Sequence, residues 1–574
     1  MKRMIQMRRT LRIGGVFLLL GILFSACGRN ETPQQAETKQ ALRIALEQDI
    51  ETIDPQQNTA RYTTTVCEGI NEALLREHNG EMIPGMAETY ETDDFISWTF
   101  HLRKNAAWSD GTPITAADFV YSYREIFHRP ECAKVYILFE GVKGYEEISA
   151  AMKADKAGAE LRAVTDTLAV NALDDYTLQV VLDSPRPYFE EMFGSTAWSP
   201  IKRDLYEANG KAYGSAPDKI GMNGPFIIAD WRYNEEVVLE PNPNYWNKGN
   251  ITLDRVEIKI VKDIEPRVNM FQEGSVDFIV GSSENYKTMR KNLLLAPGSA
   301  NYYLLLNYLR RDSNGRVVNK AISDLIANRN FVNALSHAID RTVLYTQVLE
   351  SPAFIGSGWV MSDVINLNNV NRDEVRVKRT GASINPVTAD PAKAKSYLEA
   401  AMNELGYSAV AQIPEISIVV ASSADPRTIV EYVELSLEQE LGLKISIDPV
   451  EFGVRDSRII SGDYDILYMG WGISNNDPLG YLDVWADDLF ATGWPQVDPD
   501  SYNAFSVLID RIRLSADMDA RAQMLLEAEQ LALVKAPFIP LAFSSEVGLI
   551  QDRVSGFSLR MFNAPYDYIF ASLQ

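Results

Sequence analysis

In PGMAETYETDDFISWTFHLRKNAAWSDGTPITAADFVYSY (Pro84–Tyr123), the segment SWTFHLR (Ser97–Arg103) alternates apolar and polar residues, as a half-buried strand requires. Asp110-Gly111 and Pro113 mark a turn after it. Thr115 with Asp118 three residues later is a helix-start pair, which predicts a helix from Ala116 through about Phe127. Phe119, Tyr123 and Phe127 recur at every fourth position, the spacing of a core stripe.

Upstream, Leu42, Ile44 and Leu46 alternate as a strand that Asp54-Pro55 follows, TTTVCEGINEALLREHN (Thr63–Asn79) reads as helical, and Asn79-Gly80 makes a turn. Downstream come a polar helix near Ala150–Ala163, a strand pair turning at Asp174-Asp175, and strands in FIIADW, VVLEPNPNYWN and RVEIKIV (Arg255–Val261). A helix through Phe271 then leads to the short strand VDFIVG. After about residue 300 the texture changes to longer helices, NRNFVNALSHAIDRTVLYTQVL, DPAKAKSYLEAAMNELG and TIVEYVELSLEQELG, the last two ending on Gly406 and Gly442 as helix C-caps. Strands EISIVVA, KISIDPVE and YDILYMGW alternate with them, and such a succession implies a largely parallel sheet covered by helices. The pattern is mixed α/β without a fixed-period repeat.

The chain has 574 residues, 46% of them hydrophobic and 23% charged, too many for one core, so two or three domains are expected. Its net charge is −23, and residues 1–26 hold five basic residues (Lys2, Arg3, Arg8, Arg9, Arg12) and no acid, so the remainder carries −28. A body that acidic is unsuited to nucleic acid or anionic lipid. The three cysteines form no C-x-x-C pair and the four histidines lack metal-ligand spacing; G-x-S-x-G, G-x-x-x-x-G-K and H-E-x-x-H are absent. No catalytic residue, metal site or cofactor is expected, and the chain is not read as an enzyme.

Met1–Arg12 is basic, IGGVFLLLGILF (Ile13–Phe24) is too short to span a bilayer, and Ser25-Ala26 precede Cys27, so residues 1–26 read as a secretory signal. LFSAC resembles the bacterial lipobox, with Phe24 in place of the usual Leu, which makes Cys27 the expected lipidation site. Residues 27–40, polar and without apolar period, read as a flexible tether to the membrane. The body then keeps Cys67 and Cys132; a bridge is possible in an oxidising compartment, and two buried free thiols are the favoured state.

The Pro84–Tyr123 string resembles the signature region of the peptide-binding solute receptors of ABC importers, and the similarity continues at DSPRPYF (Asp183–Phe189), NGPFIIADW (Asn223–Trp231), VLEPNPNYW (Val238–Trp246), FQEGSVD (Phe271–Asp277) and YDILYMGWGISNNDP (Tyr464–Pro478). The resemblance implies a two-lobed, periplasmic-binding-protein-like α/β fold with three domains, mixed sheets and a hinged cleft. Lobe one would combine domain I (41–66, 201–300 and 539–574) with domain II (67–200); lobe two would be domain III (301–538), with chain crossings near 300 and 538. The implied function is capture of oligopeptides in the cleft and delivery to ABC permease subunits, by a monomer that faces the periplasm or cell exterior and touches the membrane only through its lipid.

In this family an extended peptide is held through its main chain by both lobes. The matching residues here are Asn58, Thr59, Ala60, Arg61 and Tyr62, with Glu68, on lobe one, and Tyr468, Gly470, Trp471, Gly472, Ser474 and Asn475 on lobe two. Gly470 and Gly472 flank Trp471 and would free the backbone for close approach, although Trp471 also suits plain core packing. Where the family places an aspartate for the ligand's α-ammonium, this chain has Ser474. Asp477, before Pro478, reads as a turn or capping residue. Either another acid such as Glu68 or Glu47 supplies the charge, or the ligand is a blocked or modified peptide or another polar solute; a peptide-sensing signal receptor is a further alternative.

Overall fold

In the computed structural model, residues 40–281, 287–312, 314–356, 358–361, 385–486 and 488–574 are described. The signal segment, the tether and Cys27 lie outside them.

The local signals of Pro84–Tyr123 hold. Ser97–Leu102 is the second strand of a four-stranded antiparallel sheet, and the helix runs Ala116–Glu125 before tightening into a 3₁₀ turn at Ile126–His128. Asp118 Oδ2 accepts from the Thr115 N–H at 2.8 Å, satisfying a donor that the first helical turn would leave bare. Phe119, Tyr123 and Phe127 are buried against Phe139 and Trp198. The strand pair Val170–Asp174 and Thr177–Val181 turns where expected.

Two expected helices are shorter than their patterns. The first covers only Arg61–Ile70, because Asn223 Oδ1 takes the Glu72 N–H at 3.0 Å while the Asn223 and Gly224 N–H groups donate to the Ile70 carbonyl. Leu75–His78 then pairs with Glu81–Pro84 across the two-residue turn Asn79-Gly80, both of positive φ. The second ends at Ala338, and Asp340 caps a new turn by accepting from the Val343 N–H at 2.8 Å. Gly406 and Gly442 do close their helices in the left-handed region (φ 80° and 68°).

The principal sheet has ten strands. Ala41–Leu46 runs parallel to Arg255–Ile260 on one side and to Phe278–Val280 on the other. At the opposite end, Ile416–Ala421 runs parallel to Ile445–Val450 and to the start of Ile466–Gly472. These three strands are parallel as their β-α-β succession implies, and two long antiparallel strands, Leu293–Leu306 and Phe538–Ile550, join them to the first group, so the sheet as a whole is mixed. Buried side chains form three large clusters and a small fourth. One spans Ala73–Trp198, one gathers Leu42–Ile70 with Ile201–Phe278 and Phe557–Leu573, and one spans Tyr303–Phe543. The molecule is a bilobed α/β protein. Cys67 and Cys132 are buried free thiols, the favoured state of the two. Among the described residues no helix is long and apolar enough to cross a membrane.

The close approach at Gly224 can be tested. A Cβ there would stand 2.6 Å from the Asn71 nitrogen, whereas one at Gly249 meets open space. Gly224→Ala is expected to lower stability by about 1–3 kcal/mol and Gly249→Ala by less than about 0.5 kcal/mol, measured by urea unfolding.

Candidate functional site

The crossing strands set the site. Leu293–Pro297 pairs with Ser545–Leu549, and Asn301–Leu305 pairs with Phe538–Phe543, with a slip of register between Pro297 and Asn301. Gly298 lies in that slip, where a Cβ would meet Ser544 Oγ at 2.3 Å. The freed Ala300 N–H donates to the same hydroxyl at 3.0 Å.

Strand Ile466–Gly472 pairs with Ala300–Leu306 along its whole length. On its other side only Ile466 and Leu467 are paired, to Ile418 and Val419. Among the described residues no strand covers that side of Tyr468–Gly472, and Tyr468 and Gly470 line a hollow of about 490 Å³ together with Tyr302 and Tyr345. Gly470 is dictated from behind as well, since a Cβ would come within 2.9 Å of the Tyr302 ring. Gly472 is not crowded, its virtual Cβ meeting nothing closer than 3.7 Å.

Beyond it, Trp471, Gly472, Ser474 and Asn475 border a second hollow, also of about 490 Å³. Trp471 is half-buried, its Nε1–H donates to the Gly480 carbonyl at 3.0 Å, and its ring meets Phe490 edge-on. Packing and groove lining are thus both served. Ser474 is exposed. Asp477 is structural: one oxygen accepts from the Leu479 N–H at 2.9 Å and the other from Arg521 at 2.6 Å.

The lobe-one residues sit differently. Asn58 is tied to Thr64 and to the Ala60 N–H, and Arg61 is engaged by Glu546 at 2.8 Å and by the carbonyls of Arg560 and Met561. Tyr62 is half-buried, and burial together with Glu47 pushes its hydroxyl up to about 12. For Thr59 and Ala60, local backbone roles are visible: Ala60 accepts the Thr64 N–H, and Thr59 precedes it as an exposed residue. Glu47 is held by Arg267 at 2.9 Å, and Glu68 is held by Arg560. Both acids considered for a ligand's ammonium already have a cation.

A third cavity, of about 390 Å³, is lined by residues that the sequence did not single out: Glu77, Glu191 and Asn476. Arg560, 3% exposed, closes its floor, bonded to Glu68, to Asp567 and to the Glu77 carbonyl. Burial alone would raise Asp567, but Arg560, the His78 hydrogen bond and Arg76 hold its carboxyl well below the ordinary range. One guanidinium thus serves Glu68 and Asp567. Glu77 stands 3.8 Å from Arg560 Nε, and Glu191 accepts from the Asn476 N–H at 2.7 Å. Burial pushes Glu77 up to about 7, with Arg560 opposing and Glu68 and Asp567 adding. Burial likewise pushes Glu191 up to about 7, the Asn476 hydrogen bond opposing and Glu77 and Asp477 adding. The only sequence trace was Glu190-Glu191 at the start of a short helix, an ordinary place for acids. Among the described residues no group of side chains could hold a metal ion.

Comparison with known proteins places these features. The family profile described as bacterial extracellular solute-binding proteins, family 5 Middle, matches residues 81–491. The oligopeptide-binding protein OppA of Bacillus subtilis is 25% identical over 569 residues, covering 96% of this chain and 97% of that protein. Among solved structures, the unliganded open form of the periplasmic murein tripeptide binding protein MppA superposes with a TM-score of 0.75 at 20% identity, covering 93% of this chain and 98% of that one. Listeria monocytogenes OppA bound to peptide superposes at 0.60 and 24% identity, covering 94% and 99%. At these identities the two structures speak for the fold.

Both interlobe carboxyls ionise near 7 when folded against about 4.5 when free. The unfolded chain therefore loses these protons first, and their contribution to stability, complete below about pH 4.5, is lost as pH rises through about 7. Denaturant unfolding at pH 5 and pH 8 should show a smaller pH 5-to-8 loss for Glu191→Gln than for the wild type. An identical loss in both would place the titration elsewhere.

Proposed function

Because the chain belongs to the bacterial extracellular solute-binding proteins of family 5, receptors rather than enzymes, we propose that it captures oligopeptides in the interlobe cleft and passes them to the permease of an ABC importer. The observation that carries this reading is the uncovered edge at Tyr468–Gly472. An extended peptide added there would complete main-chain pairing without regard to its side chains. Two relatives point the same way: one is named an oligopeptide-binding protein and another was solved with peptide bound.

In this reading Asn58–Tyr62 and Glu68 of lobe one face the ligand across the cleft from Tyr468, Gly470, Trp471, Gly472, Ser474 and Asn475. The lobes comprise domains I (41–66, 201–300, 539–574) and II (67–200) on one side and domain III (301–538) on the other. They hinge where the crossing strands slip register, and closure is favoured because the ligand touches both lobes only when they shut. The protein works as a monomer outside the cytoplasm, held by lipid on Cys27 after residues 1–26 are removed. Ser474 favours a second reading of the cargo, a peptide blocked at its amine.

Isothermal calorimetry tests the strand-addition reading. A mixed-sequence peptide pool should bind, and the same pool N-methylated at alternate backbone nitrogens should bind at least about tenfold more weakly, since each methyl removes a main-chain donor. Equal affinity for both pools would rule out main-chain pairing.

A further inference from the structure

We propose that the interlobe cavity beside Glu191 is an alkylammonium site, so that lobe one supplies the counter-ion that lobe two lacks at Ser474 and the cargo is a peptide bearing a free amine. The inference rests on the peptide-receptor reading and names the chemistry of the ligand's end.

Three observations converge on this cavity. First, it lies where the lobes meet: Glu191 of the short helix Phe189–Met192 accepts from the Asn476 N–H, two residues beyond Ser474 on the opposite wall. Second, its charge is unbalanced. Arg560 is the only basic residue among those lining it and is shared by Glu68, Asp567 and, at 3.8 Å, Glu77, while Glu191 lines the space facing no cation among the lining residues. The neighbouring Glu190 accepts from the Tyr90 hydroxyl instead. Third, Asn476 Oδ1 is buried with no hydrogen-bond partner, and Asn476 lines the same cavity. An unpartnered buried acceptor next to carboxylates calls for a donor. An ammonium brings three donors and a charge, so it can satisfy Glu191, Asn476 and Glu77 together. A neutral hydroxyl or a capped amide would leave the acids uncompensated. Bound there, an ammonium would also touch both lobes, tying recognition of the charge to their approach.

The α-ammonium of a peptide and the side chain of lysine present the same group. The test uses the full chain and three mixed-sequence pools of three to five residues: lysine-free with free amines, lysine-free and Nα-acetylated, and Nα-acetylated with lysine. Affinity is read by calorimetry, and retained species are identified by native mass spectrometry. Wild type should prefer an amine-bearing pool over the fully blocked one by at least about tenfold. Retention of the first pool would identify the α-ammonium as the group, and retention of the third the lysine side chain. Glu191→Gln, which still accepts from the Asn476 N–H, should abolish that preference while leaving the affinity for the blocked pool unchanged. Glu77→Gln should reduce the preference. Equal binding of all pools by wild type, or a preference that survives Glu191→Gln, overturns the site while the receptor reading stands. Failure of wild type to bind any pool overturns both.

Discussion

Two strands that cross between the lobes are hydrogen-bonded to each other, and the remaining architecture is arranged around that pair. The ladder between Leu293–Leu306 and Phe538–Ile550 is broken by register shifts between Pro297 and Asn301 and between Tyr302 and Tyr303. Continuous pairing would make the two halves one rigid sheet. At the first of these shifts the Ala300 N–H donates to a side chain, the Ser544 hydroxyl, instead of to the partner strand's main chain.

The same strands decide what the cleft exposes. Because Ala300–Leu306 holds one side of Ile466–Gly472 throughout and Ile416–Ala421 departs after two residues, no strand among the described residues pairs with the far side of Tyr468–Gly472. An uncovered edge is ordinarily an aggregation hazard. Here it lies beside hollows in the lobe face rather than on an outer rim, which is the setting in which a ligand strand can complete it. Charge is distributed with similar economy. Arg560 is buried among acids and is shared by Glu68, Asp567 and Glu77, leaving Glu191 to border the same cavity beside Asn476.

Much of the fold was legible because its signals are local. Thr115 and Asp118 are three residues apart, the Phe119-Tyr123-Phe127 stripe lies on one helix face, and Gly406 and Gly442 end helices by their own backbone freedom. The misjudged elements were those whose ends are set from afar. The helix that stops at Ile70 is terminated by Asn223, 151 residues from the Glu72 N–H it accepts, and no pattern within Thr63–Asn79 carries that information. The parallel run of Ile416–Ala421, Ile445–Val450 and Ile466–Gly472 was legible, whereas its union with the other strands through Phe538–Ile550, which enters from the far end of the chain, was not.

By itself, the sequence determined the α/β class and carried the motifs of the family resemblance. These depend on composition, periodicity and short-range order, which survive in one dimension. Only tertiary structure decided which acids are free to meet a ligand. Glu47, Glu68, Glu77 and Glu191 look alike as letters, but Arg267 reaches Glu47 from 220 residues away, Arg560 reaches Glu68 from 492 and stands 3.8 Å from Glu77, and Glu191 meets Asn476 across 285. The charge state of a carboxyl is set by its burial and its neighbours in space, and those neighbours are chosen by the packing of lobes rather than by order along the chain.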